Sequence, residues 1–247
     1  LAGIKDILII STPADTPRFK ELLGDGSQFG VKLSYKVQPT PDGLAQAFTL
    51  GKDFINGEPC AMILGDNIFY GNGFTKLLKN ATADAQKGKA TVFGYYVNDP
   101  ERFGVVDFDK DGKAVSIEEK PEHPKSNYAV TGLYFYPAGV SEKAAQVKPS
   151  ARGEVEITSL NEMYLNEDNL NVQLLGRGYA WLDTGTMRSL VDASNYVKMV
   201  EERQGVSISA PEEIAYIHGW ISKDKLLEAA KHYGKSPYGK HLKSVAE

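Results

Sequence analysis

The chain contains a single cysteine, Cys60, in 247 residues, so no disulfide can close within it. It has no apolar run long enough to span a membrane and no signal-peptide pattern. A cationic surplus is missing as well: 28 Lys and Arg stand against 32 Asp and Glu, a net charge of -4. With a pI near 5.7, the chain does not suggest a nucleic-acid partner. Repeats, low-complexity tracts and long linkers are absent too. These absences make the cytoplasm the expected compartment, with neither membrane nor nucleic acid as partner. Cys60 sits in an apolar run and reads as a small packing residue rather than a reactive thiol.

What is present is an ordinary globular composition, 42% hydrophobic and 24% charged. In the first two thirds, short apolar runs alternate with helical patterns. "DILIIST" and "KLSYKVQ" read as strands, with a short helix from Asp15 or Thr16 to Leu23 between them. "GLAQAFTLGKDFI" places Leu44, Ala47, Phe48, Gly51 and Ile55 on one helical face. A strand over Cys60–Leu64, a helix near Phe74–Gln86 and the strand "ATVFGYYV" follow. This rhythm predicts an α/β fold with a mostly parallel sheet covered on both faces. The middle differs: "FGVVDFDKDGKAVSIEEKP" predicts a hairpin turning at Lys110-Asp111-Gly112, and "YAVTGLYFY" another strand. Helical patterns resume from Ile157, from about Thr186 to Gln204, and near Lys223–His232. The opening "LAGIKDILII" looks like the last turn of a helix running into a strand.

Three segments could carry chemistry. "AMILGDNIFYG" brings Asp66 to the end of an apolar strand, before a glycine-spaced turn, and "GYAWLDTGT" brings Asp183 to a similar position. Two carboxylates beside glycines suit a hard cation, since Mg²⁺ takes one or two carboxylates with phosphate oxygens and water. Each aspartate alone could equally cap a turn, and the sequence does not say that the two meet. In "QPTPDGLAQA", Gln38 offers an acceptor and donors to a pyrimidine edge, and Gly43 lets a flat ligand approach. Spacing alone favours an ordinary proline-rich turn there. In "IEEKP", alternation sends Glu118 and Glu119 to opposite faces, and Lys120 could meet a phosphate. Spacing alone favours a solvated strand end.

Taken in order, "QPTPDGLAQAF", "ILGDNIFYG", "IEEKP", "YAVTGLYFY", "GRGYAWLDTGT", "ERQG" and "PEEIAY" resemble the glucose-1-phosphate thymidylyltransferases among the sugar nucleotidyltransferases. The resemblance covers nearly the whole chain. It implies one Rossmann-like nucleotidyltransferase domain over 1–247, with an inserted β-hairpin region and a helical C-terminal assembly region over 186–247. It implies dTTP, glucose 1-phosphate and dTDP-glucose as ligands, Mg²⁺ as cofactor, and a homotetramer. By the resemblance Asp66 and Asp183 are metal ligands, and with Lys120, on the sugar phosphate, they are the catalytic residues. Gln38, Pro41 and Gly43 hold the nucleotide. Gly104, Glu119, Val130 and Trp181 line the sugar. A uridylyl preference, or a noncatalytic chain that keeps sugar-nucleotide binding, are the competing readings.

The chain departs from the family pattern in places. The family's GGxGTRLxPxT loop and its KxLLP lysine are not in it, and the expectation is that these 247 residues alone do not turn over. Phe103 stands where Tyr is usual, Met187 where His is usual, and Ile217 where an Arg is expected.

Overall fold

The structure is a computed structural model that describes residues 1–247. Its elements run β1 (Asp6–Ser11), α1 (Thr16–Leu23), β2 (Lys32–Val37), α2 (Gln46–Leu50), α3 (Lys52–Ile55), β3 (Cys60–Ile63), β4 (Asn67–Tyr70), α4 (Phe74–Gln86) and β5 (Ala90–Tyr96). They continue with β6 (Gly104–Phe108), β7 (Ala114–Glu119), β8 (Tyr128–Tyr136), α5 (Val140–Ala144), α6 (Ile157–Asn166), β9 (Leu170–Leu175) and β10 (Ala180–Asp183). The last four are α7 (Met187–Gln204), α8 (Pro211–Ile217), α9 (Lys223–Tyr233) and α10 (Pro237–Ala246). No helix is long and apolar enough to cross a membrane.

The expected α/β architecture is present, but the strand directions differ from the expected ones. Only β1–β2 and β5–β9 pair in parallel; β3–β8, β5–β8, β6–β7, β6–β8 and β4–β10 are antiparallel. The reason is β8. It follows a hairpin rather than a crossover helix, so it enters the sheet against the direction of both β3 and β5. Two other expectations need correction. The single helix expected over "GLAQAFTLGKDFI" is parted at Gly51 into α2 and α3; a helix-interior glycine costs about 1 kcal/mol. The turn expected after Asp66 is strand β4, paired with β10 so that Asn67 lies opposite Asp183.

The residues group into two compact units. One unit holds 3–39 and 190–247, the other 40–189. In the first, β1 and β2 pair from Asp6 opposite Lys32 to Ser11 opposite Val37. The helices α8, α9 and α10 close around Ala215, Ile221, Leu226, Ala230, Leu242 and Ala246. Ser222 and Ser236 cap α9 and α10 by accepting from the Lys225 and Gly239 N–H groups. Gly30, at φ 66°, lets the backbone lie against Trp220, whose carbonyl oxygen would stand 2.4 Å from a Cβ.

In the second unit, period-two alternation sends the residues of β8 to opposite faces. Leu133 and Phe135 meet Leu78, Ala81 and Ala85 of α4 together with Phe93. Tyr134 and Tyr136 meet Phe48, Leu160 and Tyr164 on the other side. Each such aromatic or leucine contributes about 1.5–3 kcal/mol by leaving water. A strand buried on both faces reads as a continuous apolar run, which is how "YAVTGLYFY" reads. One edge of β8 is shared by two strands. β6 pairs at Tyr128 and Ala129, and β3 pairs from Leu133 to Tyr136. Between them the Gly132 N–H donates to the side chain of Asn67, 3.2 Å away. Through Asn67, this break is tied to Asp66, Asp183 and Trp181.

Candidate active site

Asp66 and Asp183 do meet. Asp183 ends β10, and Asp66 immediately precedes β4, its antiparallel partner. The Asp66 carbonyl accepts both the N–H of Thr184, at 2.9 Å, and its hydroxyl, at 2.8 Å. A Cβ on Gly185 would stand 3.0 Å from Asp183 Oδ1 and 3.4 Å from Asp66 Oδ2, so both carboxylates converge on one small space.

Asn67 holds this arrangement. Its Oδ1 accepts from Trp181 Nε1 at 2.6 Å and from the Gly132 N–H at 3.2 Å. With both donors on the oxygen, the amide can turn only one way, and its Nδ2 donates to Asp66 Oδ1 at 2.8 Å. Gly132 must be glycine here, because a Cβ would fall 2.7 Å from that same Asn67 oxygen. Trp181, buried, packs edge-on against Phe103 at 5.1 Å and Tyr95 at 6.0 Å. Arg102 lies beside the pair: its Nη1 is 2.8 Å from Asp99 and its Nη2 is 3.7 Å from Asp183 Oδ2. The Asp99 hydrogen bond, then the surrounding carboxylates, push the Arg102 pKa up.

The expected sugar residues converge as a second group. Gly104 and Glu119 face each other across the β6–β7 ladder. A Cβ on Gly104 would meet Thr158 Oγ1 at 3.1 Å, Glu119 Oε2 at 3.4 Å and Val130 Cβ at 3.9 Å. Thr158, buried on α6, donates its hydroxyl to Glu119 Oε2. Arg152 reaches Glu119 Oε1 at 3.5 Å while its main partner is buried Glu156, at 2.8 Å. Burial, then the charge of Glu119, push the Tyr134 phenol up, so it remains protonated. Phe103 joins the two groups: it precedes Gly104, packs edge-on against Trp181, and its carbonyl accepts the Lys120 N–H at 3.0 Å. Lys120 is exposed, with φ at 44°, a region that non-glycine residues rarely adopt.

The residues expected to hold a base are divided between the units. Gln38 follows β2 in the first unit, its N–H on the Ser11 carbonyl at 2.9 Å. Pro41 is exposed in a turn tied by Asp42, whose Oδ2 accepts from Thr40 at 2.5 Å and Gln46 at 2.9 Å. Gly43, at φ 111°, is approached by backbone and not by an open space: a Cβ there would stand 2.4 Å from the Val155 carbonyl oxygen. The need for glycine at this position is therefore met by chain packing. Asn67, Thr158, Arg152 and Arg102 were not among the residues picked from sequence. Asn67 has a signal in "LGDN"; the other three are brought in by pairing and packing that no local pattern announces.

The donor set of the acid pair fits a hard divalent cation: two carboxylates with oxygen atoms only. No group of three or more His, Cys, Asp or Glu is assembled for a metal. An all-protein cage is thus lacking, and the remaining positions suit water and phosphate oxygens, the usual manner of Mg²⁺.

Comparison with known proteins gives a consistent result. The family described as "Nucleotidyl transferase" matches residues 1–199. A glucose-1-phosphate thymidylyltransferase of Xanthomonas campestris pv. campestris (strain B100) is 55% identical over 247 residues, 100% of this chain and 83% of that protein. One from Neisseria meningitidis serogroup A is 57% identical over 242 residues, 98% of this chain and 83% of that protein. Among solved structures, a Bacillus anthracis protein in complex with a sucrose, assigned as a glucose-1-phosphate thymidylyltransferase, is 41% identical with a TM-score of 0.70. It covers 78% of this chain and 76% of its own. A UDP-glucose pyrophosphorylase complexed with UDP-glucose aligns at a TM-score of 0.65 and 23% identity, over 80% of this chain and 82% of its own, a likeness of fold alone.

Proposed function

The chain belongs to the nucleotidyl transferase family, among its glucose-1-phosphate thymidylyltransferases, and we propose from this how its residues divide the work of moving a thymidylyl group from dTTP to glucose 1-phosphate. The products are dTDP-glucose and pyrophosphate. The sugar phosphate oxygen attacks the α-phosphate in line and pyrophosphate leaves, with no covalent enzyme intermediate.

The observation that carries the reading is the junction at Phe103. In one unit it links Gly104, Glu119 and Val130, which we read as the hydroxyl-binding group, through Trp181 to the ribbon of Asp66 and Asp183, which we read as the cation-binding group. Glu119 accepts hydrogen bonds from glucose hydroxyls, and Thr158 keeps its carboxylate turned inward. The backbone of Gly104 and Val130 comes close because Gly104 has no side chain. Trp181 walls the sugar against the acid pair. Lys120 meets the sugar phosphate as a point charge. Gln38, with Pro41 and Gly43 shaping the following turn, is the proposed reader of the pyrimidine. A divalent cation on Asp66 and Asp183, Mg²⁺ in our reading, supplies charge neutralisation to the phosphates. Cytoplasmic location and assembly of several copies through 186–247 are the remaining parts of the proposal.

The test is pyrophosphate release from glucose 1-phosphate with dTTP and, separately, UTP. It is run on the 247 residues and on a form extended with a relative's Gly-rich N-terminal segment. Preference for dTTP by the extended form supports the reading. Equal or greater turnover with UTP moves the assignment to uridylyl transfer, a base choice that Gln38 permits as well.

A further inference from the structure

The carboxylate of Asp183 is divided between two neighbours. Its Oδ1 accepts the Gly185 N–H at 2.9 Å and is the oxygen turned to the space shared with Asp66. Its Oδ2 faces Arg102 Nη2 at 3.7 Å. Arg102 is itself anchored on two sides. Nη1 sits 2.8 Å from Asp99, and the guanidinium lies 5.1 Å from the centre of the Phe103 ring. That ring in turn packs on Trp181.

On the reading of Asp66 and Asp183 as a cation pair, we propose that Arg102 is a positioning residue of that site. Held by Asp99, it takes the outer oxygen of Asp183 and leaves Oδ1 turned toward Asp66. The last torsion of an aspartate is broad, so a carboxylate without a partner on each oxygen samples many orientations. Groups that orient metal ligands from behind typically govern metal affinity by 10- to 100-fold. A guanidinium near a cation also repels it, and the two effects oppose each other. The Arg102 side chain is 45% exposed and its contact with Asp183 is loose, so water and salt screen most of the repulsion. The orientation of a carboxylate is not screened, and it decides the sign. Lysine cannot substitute, because one ammonium lacks the fork that serves Asp99 and Asp183 together.

The experiment is Mn²⁺ titration of the 247-residue chain, followed by the electron paramagnetic resonance signal of the free ion, with thermal melting measured alongside. Arg102→Gln should weaken Mn²⁺ binding about tenfold and leave the melting temperature unchanged. Arg102→Lys should fail to restore binding. Asp99→Asn, which removes only the anchor, should shift binding in the same direction and serves if Arg102→Gln does not fold. Unchanged or tighter Mn²⁺ binding by Arg102→Gln, while Asp183→Asn loses it, overturns this inference and leaves the cation site standing. Equal binding by the unaltered chain and Asp183→Asn, or no binding by the unaltered chain, overturns both.

Discussion

In the C-terminal helices Glu212 is 3% exposed, and each of its oxygens accepts a tyrosine hydroxyl, Tyr233 at 3.0 Å and Tyr238 on the other. In the β4–β10 ribbon Asp66 is exposed, and its Oδ2 faces the space where Asp183 Oδ1 also arrives. Both regions hold carboxylates in defined geometry, yet Glu212 has both oxygens closed by the protein's own hydroxyl donors, whereas Asp66 Oδ2 and Asp183 Oδ1 turn to one shared space. A buried carboxylate is stable only when hydrogen-bonded, so Glu212 joins α8 to α9 and α10. Two carboxylates set close together repel each other, so the Asp66–Asp183 arrangement costs stability unless a cation joins it. The difference separates a charge that serves the fold from a pair that serves a ligand.

Substitution can break this contrast from either side. The largest expected effect is on catalysis. Asp66→Asn and Asp183→Asn should each reduce turnover at least about a hundredfold, measured as pyrophosphate release in the extended form at saturating Mg²⁺. Neither should lower the melting temperature, because surface changes usually stay within about 0.5 kcal/mol. Near-normal turnover in either variant removes that acid from the mechanism. At Glu212 the pattern should invert. Glu212→Ala leaves two tyrosine hydroxyls without their acceptor and should cost about 2–4 kcal/mol, read by denaturant unfolding, while Mn²⁺ binding by folded protein stays unchanged. Glu212→Gln keeps one acceptor and should cost less. If Glu212→Ala were neutral in stability, the division between the two regions would fail.

How much of this was legible beforehand depends on whether the signal is local. The ends of α4, Phe74 and Gln86, follow from its periodicity, and β8 from its unbroken apolar run. The hairpin of β6 and β7 follows from alternation about Lys110-Asp111-Gly112. Asp66, Asp183, Gly104, Glu119 and Val130 could be named from motifs, but their convergence could not. It depends on Asn67 pairing with Asp183 across two strands more than a hundred residues apart in sequence, and on α6 bringing Thr158 to Glu119. The antiparallel entry of β8 has no local signal, because an α/β rhythm says nothing about a strand that arrives after a hairpin. Gly43 shows the converse. Its glycine was legible, but its reason was Val155, a backbone contact from more than a hundred residues away.

The sugar group offers a finer test, because Glu119 lies between the two extremes. It is partly exposed, and its Oε2 already has a donor in Thr158. Its remaining acceptor capacity is what a sugar hydroxyl would use. Glu119→Ala should weaken glucose 1-phosphate by about 1.5–3 kcal/mol with little effect on dTTP, measured by calorimetric titration of each ligand. Equal losses for both ligands would count against the assignment and place Glu119 with Glu212, among the carboxylates that serve the fold.

Cys60 sharpens the contrast with the smallest effect, as a half-buried ionisable group without a charged partner. It pairs across β3–β8 with Tyr136 at the margin of the core, and burial pushes its thiol pKa up to about 12. The unfolded chain should ionise it near the ordinary value of about 8.5. Between these values the folded state keeps a proton that the unfolded state has lost, so stability must fall as pH rises through this window. Below about 8.5 both states are protonated and the term vanishes. Unfolding at pH 8 and pH 9.5 should therefore show a loss that Cys60→Ala removes; the upper limit stays below the ordinary tyrosine value of about 10. Since only the thiolate attacks, disulfide reagents at pH 8 should modify the folded chain at least about a hundredfold more slowly than the unfolded chain. Fast labelling of the folded chain at pH 8 would mean that Cys60 is a reactive thiol, and the packing role assigned to it would be wrong.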